Sequence, residues 1–259
     1  MSEVIAIANQ KGGVGKTTTA VNLSAALASS GKKVLLIDAD PQANATTSLG
    51  FQRDNYEYNI YHVLIGTKDI SEIALGTEID TLDLAPSNIG LVGIEKDFYR
   101  NKKDKELMLK RSISYIRNDY DYIIIDSPPA LGPITINILS AADSVLIPIQ
   151  CEFFALEGLA QLLNTIKLVR QTINKDLQIK GFLPTMYSAQ NNLAKQVLAD
   201  LAQHFEDKLF KTKDLSSYVV IPRNIRLAES PSFGKPIMLY APQALGTKAY
   251  SNLAQAIAG

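Results

Sequence analysis

Short apolar runs alternate along the chain with longer stretches whose apolar residues recur at helical spacing. The runs predict β-strands at 4–8, 34–37, 79–86, 121–126, 145–149, 179–187 and 219–222. Helical spacing predicts helices at 20–28, 156–173, 192–205 and 246–258. This alternation predicts an α/β fold class: a doubly wound, mostly parallel sheet with helices on both faces.

A glycine-rich loop joins the first predicted strand to the first helix, which is expected to begin near Lys16. Residues 10–18 read Q-K-G-G-V-G-K-T-T. The glycines let the backbone curl so that its N–H groups point inward, and the helix N-terminus adds the positive end of its dipole. The pattern is typical of a phosphate-binding loop, in which Lys16 contacts β- and γ-phosphate oxygens and the Thr17 hydroxyl coordinates Mg²⁺.

The loop departs from the strict G-x-x-x-x-G-K-[ST] pattern, because Gln10 stands at the first glycine position. Lys11 is a second lysine in the loop. It has no obvious role at its own nucleotide, since Lys16 already serves that one. The alternative interpretation is a glycine-rich turn with two solvated lysines.

Acidic residues follow two of the apolar runs. Asp38 and Asp40 end one strand, and Asp126 ends another. The carboxyl ends of strands are where open α/β sheets bind ligands, and an acid at 126 can hold a water of the Mg²⁺ shell. Any buried strand can end in Asp, so this signal gains its weight from the loop at 11–18.

These motifs resemble those of the ParA/MinD ATPases, and the ParA/Soj branch in particular. The resemblance rests on the loop K-G-G-V-G-K-T-T, on D-A-D-P-Q-A-N from Asp38 and on D-S-P-P from Asp126. It covers nearly the whole chain, in the right order. It implies a P-loop NTPase fold, a single ATPase domain over residues 1–259, and ATP and Mg²⁺ as cofactors.

The resemblance also implies residue roles. Lys11 reaches across a dimer to the partner's nucleotide, Asp38 lies near the Mg²⁺ shell, and Asp40 positions or activates the attacking water. The stretch I-P-R-N at 221–224 is similar to the family segment beside the adenine, so Pro222 and Asn224 are expected to contact the base. The expected nucleotide-binding set is Lys11, Gly12, Gly13, Val14, Gly15, Lys16, Thr17, Thr18, Pro222 and Asn224. Expected metal ligands are Thr17, Asp38 and Asp126, and expected catalytic residues are Lys11, Lys16 and Asp40.

Charge is unevenly distributed in a chain whose formal net charge is zero. Residues 170–259 hold 11 basic and 6 acidic residues, a balance of +5, while the remainder holds 15 and 20, a balance of −5. The asymmetry indicates either a basic face for a polyanion or chance scatter. The candidate DNA contacts are Lys195, Lys211, Arg223, Arg226, Lys235 and Lys248.

The expected function is that of a DNA-segregation ATPase of the ParA/Soj kind. Mg-ATP drives face-to-face homodimerisation and non-specific binding to double-stranded DNA, and a ParB/Spo0J-type protein stimulates weak hydrolysis. A cytoplasmic, nucleoid-associated protein is expected. Two alternatives stay open: a MinD-like membrane-cycling ATPase and a non-hydrolysing nucleotide-switched scaffold. The helix at 246–258 has one lysine and no bulky aromatic stripe, which counts against a membrane partner.

Overall fold

The computed structural model describes residues 2–52, 55–94, 104–152 and 157–259. Within these residues the chain builds one seven-stranded sheet in the order β3-β4-β2-β5-β1-β6-β7. All neighbouring strands are parallel except β3, which is antiparallel to β4. The strands are β1 Glu3–Ile7, β2 Val34–Asp38, β3 Leu75–Gly76, β4 Leu82–Ala85, β5 Tyr122–Asp126, β6 Ser144–Gln150 and β7 Gln178–Thr185.

Eleven α-helices fill the connections between and after the strands, within the same described residues. They are α1 Lys16–Ser29, α2 Asn44–Ser48, α3 Ile60–Leu64, α4 Ile70–Ile73, α5 Met108–Ile116, α6 Pro133–Ala141, α7 Glu157–Thr172, α8 Asn192–Phe205, α9 Ile225–Glu229, α10 Ile237–Tyr240 and α11 Leu245–Ala258. Local chemistry sets several helix ends. The Asn191 side chain accepts the Leu193 N–H at 2.9 Å at the start of α8, and Pro133 opens α6.

The two faces of the sheet carry separate hydrophobic cores, because side chains alternate along each strand. In β1, Val4 and Ala6 face one core while Ile5 and Ile7 face the other. Helices α5 to α8 cover the first face, and α1 and α11 cover the second. Both faces are therefore buried, as the continuous apolar runs predict.

Six of the seven predicted strands are confirmed, with ends shifted by three residues or fewer. The predicted helices are also confirmed: α1 begins at Lys16 and α8 has the predicted bounds, while residue 156 of the predicted 156–173 helix lies outside the described residues. The short strand β3 and helices α2 to α4 lie in a stretch whose sequence pattern is weak.

The predicted strand at 219–222 is wrong. This segment lies beside the end of β7, where the Ile221 N–H donates to Pro184 O at 2.8 Å and the Tyr187 N–H donates to Ile221 O at 3.0 Å. Pro222 has no N–H to extend a ladder and forms only an isolated bridge with Tyr187. The apolar residues Val219 and Ile221 are buried, which explains the strand-like pattern.

The carboxyl ends of the three central strands place the candidate site. Asp126 of β5 stands in register with Ile7 of β1 on one side and Asp38 of β2 on the other. The glycine-rich loop leaves β1 at this edge, and the segment carrying Asp40 leaves β2 there.

Gly181 in β7 tests the packing of this sheet against the segment that follows α8. A Cβ on Gly181 would lie 2.6 Å from Lys208 O and 2.7 Å from the Phe210 ring. We expect Gly181→Ala to lower the free energy of unfolding by about 1–3 kcal/mol through overpacking. Urea denaturation measures this. Gly93→Ala is the control, since its Cβ would meet no heavy atom within 4 Å. Equal effects of the two substitutions would contradict the packing.

Candidate nucleotide-binding site

The glycine-rich loop adopts a conformation that exposes backbone N–H groups to a ligand. Gly13 and Gly15 have φ of 75° and 88°, in the left-handed region that glycine tolerates without a Cβ clash. Gly15 is the N-cap of the 14-residue helix α1, and no described side chain caps that end of the helix. The unpaired N–H groups and the helix dipole together form an anion site.

Two buried side chains hold the loop in place. Asn9 accepts the Lys11 N–H at 3.0 Å and donates to Pro148 O at 2.7 Å. The Thr185 hydroxyl donates to Val14 O at 2.8 Å. The loop is thereby tied to the ends of β6 and β7. Sequence reasoning missed both residues, because each acts on a partner more than a hundred positions away.

Lys16 is buried inside the loop, with 7% of its surface exposed. Its ammonium donates to Lys11 O at 3.1 Å. Burial lowers the pKa of Lys16, and the nearby charges of Asp126 and Asp40 oppose that shift. The structure thus brings the lysine and both acids together, as the sequence predicts.

Asp126 is a buried acid whose charge is compensated only in part, by the nearby ammonium of Lys16. Neither of its oxygens accepts a hydrogen bond from any described residue. Burial raises the pKa of Asp126 well above its ordinary value, and the neighbouring charge of Asp38 adds to the rise. The Thr17 hydroxyl lies beside the carboxylate and opposes the rise, although its geometry falls short of a hydrogen bond. An unpaired buried acid beside a hydroxyl fits a cation with its bound water.

Asp38, at the end of β2, accepts three hydrogen bonds from the segment that follows the strand. Its Oδ2 accepts the N–H and the hydroxyl of Thr46 at 2.8 and 2.7 Å, and its Oδ1 accepts the Asp40 N–H at 3.1 Å. Burial raises the pKa of Asp38 to about 6, and the bonds from Thr46 oppose that rise. These contacts fold the segment after β2, while a role near the metal stays a prediction.

Lys11 lies in the glycine-rich loop, and Asp40 lies beside it in the segment that follows β2. Asp40 is 7% exposed, and its Oδ1 accepts the Gln42 N–H at 2.9 Å. Its charge acts on Lys16 and on Asp38, which places it beside both. Lys11 is half-buried and forms no ion pair within the described residues, so its ammonium is available to a ligand.

Neither Pro222 nor Asn224 lines the cleft beside Thr17 and Thr18. Asn224 caps α9, and its Oδ1 accepts the Arg226 N–H at 2.9 Å. The cleft beside Thr17 and Thr18, about 300 Å³, is closed by α2 and by residues 230–235 instead. Contact of Pro222 and Asn224 with the base stays a prediction.

The six basic candidates do not line one cleft. Four are in ion pairs with acids: Lys211 with Glu206, Arg223 with Glu152, Arg226 with Glu229 and Lys235 with Glu78. Lys195 and Lys248 form no ion pair with any described residue. Arg223 and Arg226 line one cleft of about 550 Å³, together with Ala241 to Ala244. Lys248 lies one helical turn beyond Ala244, whereas Lys211 and Lys235 line other clefts.

Comparison with known proteins matches residues 2–179 to a family described as an AAA domain. The chain is 50% identical to sporulation initiation inhibitor protein Soj of Bacillus subtilis (strain 168), covering 100% of this chain and 99% of that protein. It is 46% identical to chromosome partitioning protein ParA of Caulobacter vibrioides (strain NA1000 / CB15N), covering 98% and 93%. A crystal structure of cobyrinic acid a,c-diamide synthase from Mycobacterium smegmatis, with bound ATP analogue and magnesium, is 36% identical with a TM-score of 0.83, covering 98% and 93%.

No helix in the described part of the chain has the length and apolar character that a bilayer crossing requires.

The burial of Asp126 has a measurable signature. Because the pKa of Asp126 is raised in the fold, ionising it lowers the free energy of unfolding at pH values above its unfolded pKa of about 3.9. We expect Asp126→Asn to raise the free energy of unfolding at pH 8 by about 1–3 kcal/mol without nucleotide or Mg²⁺. The gain shrinks as the pH falls toward 4. Urea denaturation across this pH range measures it.

Asp176→Asn is the matched control, since Asp176 is exposed and forms no ion pair within the described residues. We expect it to be neutral at every pH. Destabilisation by Asp126→Asn at pH 8, or a gain independent of pH, would contradict the assignment.

Proposed function

Because the chain belongs to the ParA/Soj family of partitioning ATPases, we propose that it couples ATP binding and hydrolysis to reversible, non-specific DNA binding. The observation that carries the proposal is the unpaired, buried Asp126 beside the phosphate-binding loop and Lys16. A single sheet with two cores supports one ATPase domain over residues 1–259.

Residues of the loop and of the strand ends together bind Mg-ATP. The N–H groups of residues 12–18 surround the phosphates, and the Lys16 ammonium exchanges Lys11 O for phosphate oxygens. The Thr17 hydroxyl and a water held by Asp126 would complete the Mg²⁺ shell. When bound, Mg²⁺ neutralises negative charge on the β- and γ-phosphate oxygens.

Asp40 is proposed to serve the attacking water. The water oxygen forms a bond to the γ-phosphorus while the bond to the β–γ bridging oxygen breaks, and ADP leaves with that electron pair. The proton that the water loses passes to an oxygen of the released phosphate. Asp40 accepts a hydrogen bond from the water and orients it in line. The position of Asp40 beside Lys16 supports this role. Hydrolysis is expected to be weak until a ParB/Spo0J-type partner completes the arrangement.

Dimerisation is proposed to depend on Lys11. The ammonium of Lys11 lies in the loop without an ion pair among the described residues, and Lys16 already serves the protomer's own nucleotide. Facing loops would let the partner's Lys11 contact phosphates bound in this chain. Two nucleotides would then be enclosed between two protomers, and each nucleotide would contact both protomers.

DNA binding is proposed to use the cleft of Arg223 and Arg226, with Lys248 nearby. Both arginines are largely exposed, and their surface ion pairs cost little to exchange for phosphates. One protomer offers few contacts. A dimer doubles them, which makes the affinity for DNA depend on the nucleotide.

Lys11→Ala and Asp40→Ala separate dimerisation from hydrolysis. We expect Lys11→Ala to bind ATP with near-normal affinity and stay monomeric, because its cross-dimer contact is lost. We expect Asp40→Ala to dimerise with ATP and remain dimeric, with turnover reduced about 100-fold or more. Fluorescent ATP binding, sedimentation velocity and phosphate release measure these properties.

Lys110→Ala controls for loss of one positive charge at an exposed site far along the chain from the loop. Identical oligomeric states of the Lys11 and Asp40 variants would contradict the division of roles. A wild-type protein that binds ATP without turnover, with or without a partner, would favour the nucleotide-switched scaffold.

Arg223→Ala and Arg226→Ala test the DNA surface. Each substitution removes two phosphate contacts from a dimer, so the slope of log K against log salt should fall by about 1.8. Sequence preference should not change, because phosphate contacts carry none. Fluorescence anisotropy over a salt series measures the slope, after sedimentation has verified the ATP dimer. The Lys110→Ala variant should keep the wild-type slope. Unchanged slopes in both arginine variants would contradict the proposed surface.

A further inference from the structure

Two glycines bring distant backbone segments into direct contact. Gly50 follows α2 and Gly234 precedes α10, with φ of +86° and +63°. A Cβ on Gly234 would lie 2.6 Å from Gly50 Cα and 3.1 Å from Gly50 N, and a Cβ on Gly50 would lie 3.1 Å from Gly234 O. The contact leaves no room for any side chain on Gly234, and little on Gly50.

Gly50 ends a segment that begins at the candidate site, and we call residues 38–50 the Asp40 segment. The Ala43 N–H donates to Asp40 O at 2.9 Å, and the Thr47 N–H donates to Ala43 O at 3.0 Å. The Gly50 N–H then donates to Thr47 O at 3.0 Å. Successive hydrogen bonds thus link the position of Gly50 to that of Asp40.

Gly234 lies in a second compact unit, residues 223–240, which we call the arginine segment. Its N–H donates to Pro231 O at 3.0 Å. Glu229 accepts hydrogen bonds from Arg226 at 2.9 Å and from the Tyr240 hydroxyl at 3.1 Å, and the Tyr240 ring stacks on Phe233 at 4.8 Å. These contacts tie Gly234 to Arg226 within one small unit.

The arginine segment has a second anchor on the helix that follows the phosphate-binding loop. The buried side chain of Asn22 donates to Thr18 O at 2.8 Å and accepts the Ile237 N–H at 2.7 Å. The arginine segment therefore contacts α1 through Asn22 and the Asp40 segment through Gly234. Its first residue is held separately, because the Arg223 N–H donates to Tyr187 O at 3.0 Å. A displacement of the Asp40 segment relative to α1 acts on the arginine segment at Gly234.

We propose that the Gly50–Gly234 contact is a positioning junction that passes a γ-phosphate-dependent position of the Asp40 segment to Arg226. The proposal rests on the proposed function for its DNA readout. Close-packed backbone cannot absorb a shift of the Asp40 segment, so the shift moves the arginine segment instead. ATP and ADP carry the same base and differ by the γ-phosphate. A difference in hydrogen exchange between the two nucleotides therefore reports on the γ-phosphate.

The test uses three glycine variants of the full chain. Gly234→Ala and Gly50→Ala force the junction apart, the first more than the second. Gly31→Ala is the matched control: its φ is +87°, and its Cβ would meet no heavy atom within 4 Å, so it adds backbone strain without touching a junction. Hydrogen exchange of residues 223–240 is compared between an ATP analogue and ADP, with Mg²⁺. DNA affinity is measured with both nucleotides.

We expect Gly234→Ala to bind ATP within about threefold of wild type and to dimerise. Its ATP-versus-ADP difference in hydrogen exchange should be lost, and its ratio of DNA affinities should fall about tenfold or more. Gly50→Ala should show a smaller loss, and Gly31→Ala should match wild type. Should Gly234→Ala fail to fold, the comparison of Gly50→Ala with Gly31→Ala decides.

The junction is overturned if Gly234→Ala and Gly50→Ala keep the wild-type difference in hydrogen exchange between the ATP analogue and ADP. It is also overturned if the wild-type protein shows no such difference. A wild-type protein that shows the difference but binds no DNA leaves the junction standing and overturns the proposed function. The two failures are therefore distinguishable.

Discussion

A buried, only partly compensated acid at the end of β5 is the constraint on which the site depends. Asp126 lies between β1 and β2 in the sheet, with no hydrogen bond to either oxygen from the described residues. Burying a charge in this way destabilises a fold unless a cation shares the space. The Lys16 ammonium provides part of that compensation, and a hydrated Mg²⁺ beside Thr17 would provide the rest. We propose that ligand binding removes the electrostatic cost that the fold carries without ligand.

The sequence predicts those features that depend on neighbouring residues. Continuous apolar runs locate six strands, since a strand buried on both faces needs no alternation. The loop from Lys11 to Thr18 is recognisable because phosphate binding demands glycine and lysine at fixed spacing. The same logic locates Asp38, Asp40 and Asp126 at strand ends, and the structure places Asp40 and Asp126 beside Lys16 and Asp38 beside Asp126.

Long-range partners explain what the sequence does not reveal. The motif around Asp38 predicts a metal ligand, yet in the structure its oxygens accept hydrogen bonds from Thr46 and from the Asp40 N–H. Segment 219–222 is apolar because it is buried beside β7, not because it extends a ladder. Counts of basic residues cannot show that most candidates pair with acids or lie in different clefts. The glycines show the same difference. Gly15 can be recognised from its sequence motif, whereas the role of Gly50 is seen only in its contact with Gly234.

We propose that nucleotide state controls DNA binding, and the wild-type protein gives the most direct test. Binding to a double-stranded DNA of arbitrary sequence is measured at physiological salt with Mg-ATP, with Mg-ADP and without nucleotide. The account predicts binding with Mg-ATP alone, because only the ATP dimer presents enough phosphate contacts. Equal affinity with Mg-ADP or without nucleotide would contradict it.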